Sequence, residues 1–166
     1  MYRWIVAQMM RRSLRISNEC FKTGDFDPLL KSFGGEGKVV FPGDGVFGGV
    51  YRGKEEIRGW LEHVLRDFGP LQIKVLDVVV TGPPWNTRLS TRFLDPTPLY
   101  DGTFYESEGL LYDKVVWGKV KFHRIFLDTK KLHEATTRSA AASPYNNGAK
   151  QTETAGKTAG KAKVTA

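Results

Sequence analysis

The chain has 166 residues, 40% of them hydrophobic and 26% charged, a length and balance that suit one globular domain. A single cysteine, Cys20, excludes an intrachain disulfide, and no apolar run approaches the roughly 20 residues that span a bilayer. The net charge of +7 is uneven: residues 135–166 carry Arg138, Lys150, Lys157, Lys161 and Lys163 against Glu153 alone. That leaves +3 for the rest, too little for charge to argue for a nucleic acid partner.

The opening segment, Met1 to Arg12, has a short apolar stretch followed directly by arginines and no small-residue cleavage site. It reads as helix and not as a signal peptide, so a cytoplasmic location with no membrane association is expected. The helix should run from about Trp4 to Lys22, with Val6, Met10, Leu14, Ser17 and Phe21 on one stripe and Cys20 as a small core residue. Gly24 should end it, and Asp25 or Asp27 should cap a short second helix with Pro28 in its first turn.

Gly34-Gly35-Glu36-Gly37 reads as a turn, and Lys38 to Phe41 as a strand. The glycine-rich segment Pro42 to Gly49 lacks the lysine-serine/threonine ending of a phosphate loop and reads as a flexible loop at a pocket mouth. A third helix, Lys54 to Phe68, carries Ile57, Trp60, Leu61, Val64, Leu65 and Phe68 at helical spacing. After Pro70 the period falls to two. Strands are expected over Gln72–Thr81, Asn86–Leu94, Thr103–Val116 and Lys119–Leu127. Helices followed by an antiparallel meander mean an α+β fold. The expected domain is 1–134, and 135–166 should be a disordered basic tail, because it has almost no large apolar residue to bury.

Phe21-Lys22-Thr23-Gly24-Asp25-Phe26-Asp27-Pro28-Leu29-Leu30 resembles the joint between the first two helices of the SnoaL-like, ketosteroid-isomerase-like group of the nuclear transport factor 2-like superfamily. Tyr51-Arg52-Gly53-Lys54-Glu55-Glu56-Ile57 is similar to that group's entry into the third helix. Pro83 to Arg88, Asp101 to Glu106, and Trp117 to Thr129 resemble its later strands and final hairpin. Together these phrases cover about residues 4 to 134 in order. The resemblance implies a cone-shaped fold, helices packed on a curved antiparallel sheet, an internal pocket for a small apolar molecule, and a homodimer through the outer sheet face.

Chemistry in such a pocket needs polar groups on the inward sheet face. If Trp117-Gly118 is a two-residue turn, residues whose numbers sum to 235 lie opposite one another. Glu108, Leu110, Tyr112, His123, Ile125 and Leu127 then share a face, which the resemblance assigns to the pocket. Arg92 resembles the arginine that limonene-epoxide-hydrolase-like members direct inward. Arg92, Glu108, Tyr112 and His123 are therefore the candidate catalytic cluster, with His123 as the natural proton carrier. The same residues also fit a packed histidine, a structural Arg92–Glu108 pair and a packing tyrosine.

Known mechanisms of the family do not transfer. Phe41-Pro42 stands where ketosteroid isomerases carry an aspartate base, and Arg92-Phe93-Leu94 lacks the Arg-x-Asp pair of the epoxide hydrolases. Asp95 falls one residue too late and on the opposite face. His63, His123 and His133 lie on separate elements without ligand spacing, so neither metal nor cofactor is expected. Two functions stand side by side: proton transfer on a small apolar ketone or epoxide, and non-catalytic ligand binding or dimeric interaction. Nucleic acid binding through the tail is a third, minor one.

Overall fold

In the computed structural model, which describes residues 1–146, the first apolar stripe becomes α1 (Tyr2–Thr23), with Leu14, Ser17, Cys20 and Phe21 buried. Gly24 closes α1 in the left-handed region at φ 76°, donating its N–H to Cys20 O, a geometry that glycine adopts without a Cβ clash. The short α2 (Asp27–Leu30) follows, with Asp25 accepting from the Asp27 N–H at 3.0 Å.

Six strands form one sheet: β1 (Phe33–Phe41), β2 (Gly49–Arg52), β3 (Lys74–Thr81), β4 (Thr87–Pro98), β5 (Phe104–Val116) and β6 (Lys119–Phe126). Their spatial order is β2-β1-β6-β5-β4-β3. All neighbours are antiparallel except β1 and β6, which run parallel. The expected sheet was wholly antiparallel; the long path from β1 to β6 through the rest of the fold permits a parallel return, which no hairpin could. The expected turn at Gly34–Gly37 is instead the irregular start of β1, where its register against β6 shifts between Phe33 and Lys38. β4 also runs through Asp95-Pro96 to Pro98, past the expected stop.

The helix α3 (Gly53–Asp67) lays its predicted stripe on the sheet, and Ile57, Trp60, Leu61, Val64 and Leu65 are buried, with Phe68 just beyond. Each such side chain contributes roughly 1.5–3 kcal/mol relative to exposure. Asn18 ties α1 to the start of β3: its side-chain amide donates to Ile73 O and accepts from Ile73 N–H, both at 2.9 Å.

The domain does not end at residue 134. The helix α4 (Thr129–Ala142) crosses that boundary with Ala135, Thr136 and Ser139 buried. Its small residues allow close approach to the end of α3, whose last carbonyls lack intrahelical partners. Hydroxyls supply them: Ser139 donates to Phe68 O at 2.7 Å, Ser143 to Arg66 O at 2.5 Å, and Tyr100 to Leu65 O at 2.7 Å. Residues 147–166 of the expected tail lie outside the described residues. No described helix is long and apolar enough to cross a membrane.

Candidate functional site

Between α1, α3 and the inner sheet face lies a cavity of about 330 Å³. That size falls at the lower end of small-molecule sites. Trp60, Phe33, Val39, Phe93, Leu111 and Ile125 are among its walls. The exposed residues in its lining, Met9, Pro84 and Gly118, all stand at one end, beside the start of α1, the β3–β4 turn and the β5–β6 turn. That end is the mouth.

The inner face is set by a bulge. Val116 faces Lys119 and Val115 faces Val120, as a two-residue turn requires. Beyond them the register shifts, so Lys121 is an extra residue and Asp113 stands opposite His123. Leu111, Asp113 and Val115 of β5 thus share the cavity face with Val120, His123 and Ile125 of β6.

Asp113 Oδ1 and His123 Nδ1 are 2.6 Å apart, with the carboxylate buried and the imidazole nearly so. A carboxylate only accepts, so in the neutral ring Nδ1 carries the proton and Nε2 presents a lone pair. Nε2 makes no hydrogen bond among the described residues. Asp113 Oδ2 and the indole Nε1 of Trp60, both on cavity-lining side chains, are buried without hydrogen-bond partners among the described residues. Phe33 meets the imidazole edge-on, with ring centroids 6.4 Å apart, and fixes its plane.

A second acid lies deeper. Asp95 is 5% exposed, lines the cavity, and accepts a hydrogen bond from the Thr97 hydroxyl. Burial pushes its carboxyl up to about 6, against a smaller lowering by Thr97. On β4 it sits six positions beyond Leu89, the residue opposite Asp113. At about 3.3 Å per residue the two acids are roughly 20 Å apart along the strand. They cannot act on the same atom of a small ligand.

Of the predicted cluster, only His123 lines the cavity. Arg92 faces Leu110, Glu108 faces Leu94, and Tyr112 faces Ser90 and Arg124, all on the outer face of the sheet. Arg92 and Glu108 are exposed, and the Tyr112 ring packs on Phe122 at 6.1 Å. The assignment of Arg92, Glu108 and Tyr112 to the pocket face is corrected by the bulge at Lys121, which turns β5 over relative to the assumed pairing. Of the two aspartates on the true inner face, one had a signal in the sequence. On β4, Leu89 and Phe93 alternate with Arg88, Ser90 and Arg92, and Asp95 shares the apolar parity; β5 carries large apolar residues in both parities, Leu110 beside Leu111, so Asp113 had no such signal. Among the described residues, no group of three His, Cys, Asp or Glu is placed to hold a metal ion.

No family model matches the chain, and no curated protein matches it. Solved structures do match. An NTF2-like protein of unknown function from Burkholderia pseudomallei superposes with a TM-score of 0.60 at 16% identity, over 76% of this chain and 95% of that one. This chain has the nuclear transport factor 2-like fold. A Mycobacterium tuberculosis protein of unknown function gives a TM-score of 0.64 at 14% identity, over 84% of this chain and 89% of its own. TerC, co-crystallized with polyporic acid, gives 0.61 at 20% identity, over 76% and 96%. Such identities carry the nuclear transport factor 2-like architecture and no activity.

Proposed function

We propose that this protein binds a small, mainly apolar molecule in its cavity and moves a proton on it, with His123 as the base and Asp113 as its positioning partner. The observation that carries this is the 2.6 Å Asp113–His123 hydrogen bond on an otherwise apolar cavity wall, with Nε2 unpartnered. An imidazole so held keeps one tautomer and one orientation, which general base catalysis needs. The suited substrate class is a compound with an acidic C–H beside a carbonyl. His123 Nε2 takes the proton, and the C–H electron pair moves to form the enolate. The Trp60 indole N–H, buried without an acceptor, is a donor available to a ligand oxygen. That TerC, of the same fold, was co-crystallized with polyporic acid supports a small-molecule site here.

The test is deuterium exchange at the carbon beside the carbonyl of small cyclic ketones, followed by proton NMR in heavy water. Acceleration by the native protein and its loss in His123→Gln, with ligand binding retained, is the expected result. Binding without exchange in either protein would leave a carrier, a reading that the largely apolar wall also favours. Failure of every such ligand to bind would remove the small-molecule site altogether.

The outer sheet face supports a second copy as partner. Val79, Leu110 and Phe126 are 52%, 39% and 42% exposed there. They are interleaved with Arg92, Glu108 and Arg124, charges of both signs that can pair across a twofold axis. A dimer by analytical ultracentrifugation, lost on Leu110→Lys, is expected.

A further inference from the structure

Three of the four tryptophans are exposed, and all three stand at the cavity end that opens to solvent. Trp4 on α1 is 67% exposed, Trp85 in the β3–β4 turn 53%, and Trp117 in the β5–β6 turn 77%. The fourth, Trp60, is 7% exposed. The Trp85 and Trp117 rings lie 6.5 Å apart, and the Tyr2 hydroxyl is hydrogen-bonded to Thr87, so the three segments form one rim. Ile5 and Met9, 44% and 59% exposed, extend the apolar surface along α1.

The charges of the same rim are of one sign. Residues 1–9, 82–90 and 114–122, which carry the rim, hold Arg3, then Arg88, then Lys114, Lys119 and Lys121, and no acid. Among the described residues, none of these cations makes an ion pair. Exposed indoles beside unpaired cations are the pattern of a surface that sits at the headgroup level of an anionic bilayer.

We infer that the mouth of the cavity docks on an anionic phospholipid membrane, so that an apolar ligand passes between bilayer and cavity without crossing water. A docked rim needs no spanning helix, and none of the described helices is long and apolar enough to be one; peripheral docking departs from the sequence expectation of no membrane association. A second copy does not fit this surface, because like charges would face each other across a twofold axis. Nucleic acid accounts for the cations and the indoles, and not for exposed Ile5 and Met9 around an apolar opening.

The test is co-sedimentation of the full chain with vesicles of phosphatidylglycerol and phosphatidylcholine, against phosphatidylcholine alone, at low and high salt. Binding to the anionic vesicles, weakened by salt, with a blue shift of tryptophan emission, is expected. Combined Trp4→Ser, Trp85→Ser and Trp117→Asn should weaken it at least roughly tenfold, as should Arg3→Glu, Arg88→Glu and Lys119→Glu together. Asn suits position 117, where φ is +49°. Thermal transitions of the variants check their folding, and the native protein alone is decisive in any case. No binding of the native chain to anionic vesicles overturns the inference. So does binding that survives loss of the indoles, or a tighter affinity for an oligonucleotide than for the vesicles. The outcome is independent of the deuterium-exchange result, which concerns His123 and not the rim.

Discussion

Asp113 stands opposite His123 across β5 and β6 only because Lys121 is inserted between His123 and the Trp117-Gly118 turn. One extra residue in β6 thus puts an acid and an imidazole on the cavity side at 2.6 Å and sends Tyr112 outward. The pair is energetically one unit. Removing the imidazole leaves a buried carboxylate unpaired, which costs far more than the net worth of the hydrogen bond. His123→Phe should therefore destabilise the protein by about 2–4 kcal/mol in urea denaturation. Adding Asp113→Leu should restore most of that loss. Additive losses would show that the two side chains do not depend on each other.

Asp95 predicts a pH dependence with a definite sign. Its carboxyl is raised from 3.8 to about 6 in the fold, chiefly by burial. The unfolded chain gives up this proton first, so between those values the folded state binds more protons and stability falls as pH rises. The loss approaches about 3 kcal/mol and is complete above the folded value. Asp95→Asn keeps an acceptor for Thr97 and removes the charge. It should flatten this part of the profile and raise stability at neutral pH. Denaturant midpoints measured across that range check it; an unchanged slope would assign the titration elsewhere.

Gly109 lies opposite Phe93, and a Cβ there would come within 2.4 Å of the Phe93 ring and 2.7 Å of Phe126 O. The Phe93 ring can move, but the carbonyl belongs to the neighbouring strand. Gly109→Ala should cost about 1–3 kcal/mol by thermal denaturation, from overpacking. Phe93→Leu added to it should relieve only part of the cost. Full relief would mean that the backbone contact is slack.

The hydroxyls that meet the end of α3 make α4 part of the domain. A chain ending at Glu134 loses Ser139 and Ser143 and uncovers Arg66 O and Phe68 O. It should be destabilised by more than about 2 kcal/mol, from two lost hydrogen bonds at roughly 1 kcal/mol each and the lost burial of Ala135 and Thr136. An unchanged melting temperature would return the domain boundary to residue 134.

The helices and strands were legible because periodicity reports burial. The stripe from Ile57 to Phe68 is buried as its spacing requires, and Gly24 ends α1 where its left-handed φ is needed. What periodicity does not report is where a strand gains a residue. Alternation by itself puts Leu89, Thr91 and Phe93 on one face of β4 and Arg88, Ser90 and Arg92 on the other, and the strand pairs accordingly. What differs is which face looks inward: the resemblance to limonene-epoxide-hydrolase-like members directs Arg92 inward, and the buried face is the one with Leu89, Phe93 and Asp95. Likewise the counting rule at Trp117-Gly118 holds for the first two pairs and fails at Lys121. Small residues concealed α4, since Ala135, Thr136 and Ser139 pack by close approach and hydrogen bonding, which hydrophobic patterning does not detect.

In the proposed function His123 is held by Asp113 with its free nitrogen toward a ligand. Nitrogen-15 NMR of the His123 ring, at a pH where the imidazole is neutral, reads this directly. A protonated Nδ1 and an unprotonated Nε2, with the Nε2 resonance moving when a ketone ligand is added, is the expected spectrum. A proton on Nε2 instead, or an Nε2 resonance unmoved by a ligand that binds, would contradict it.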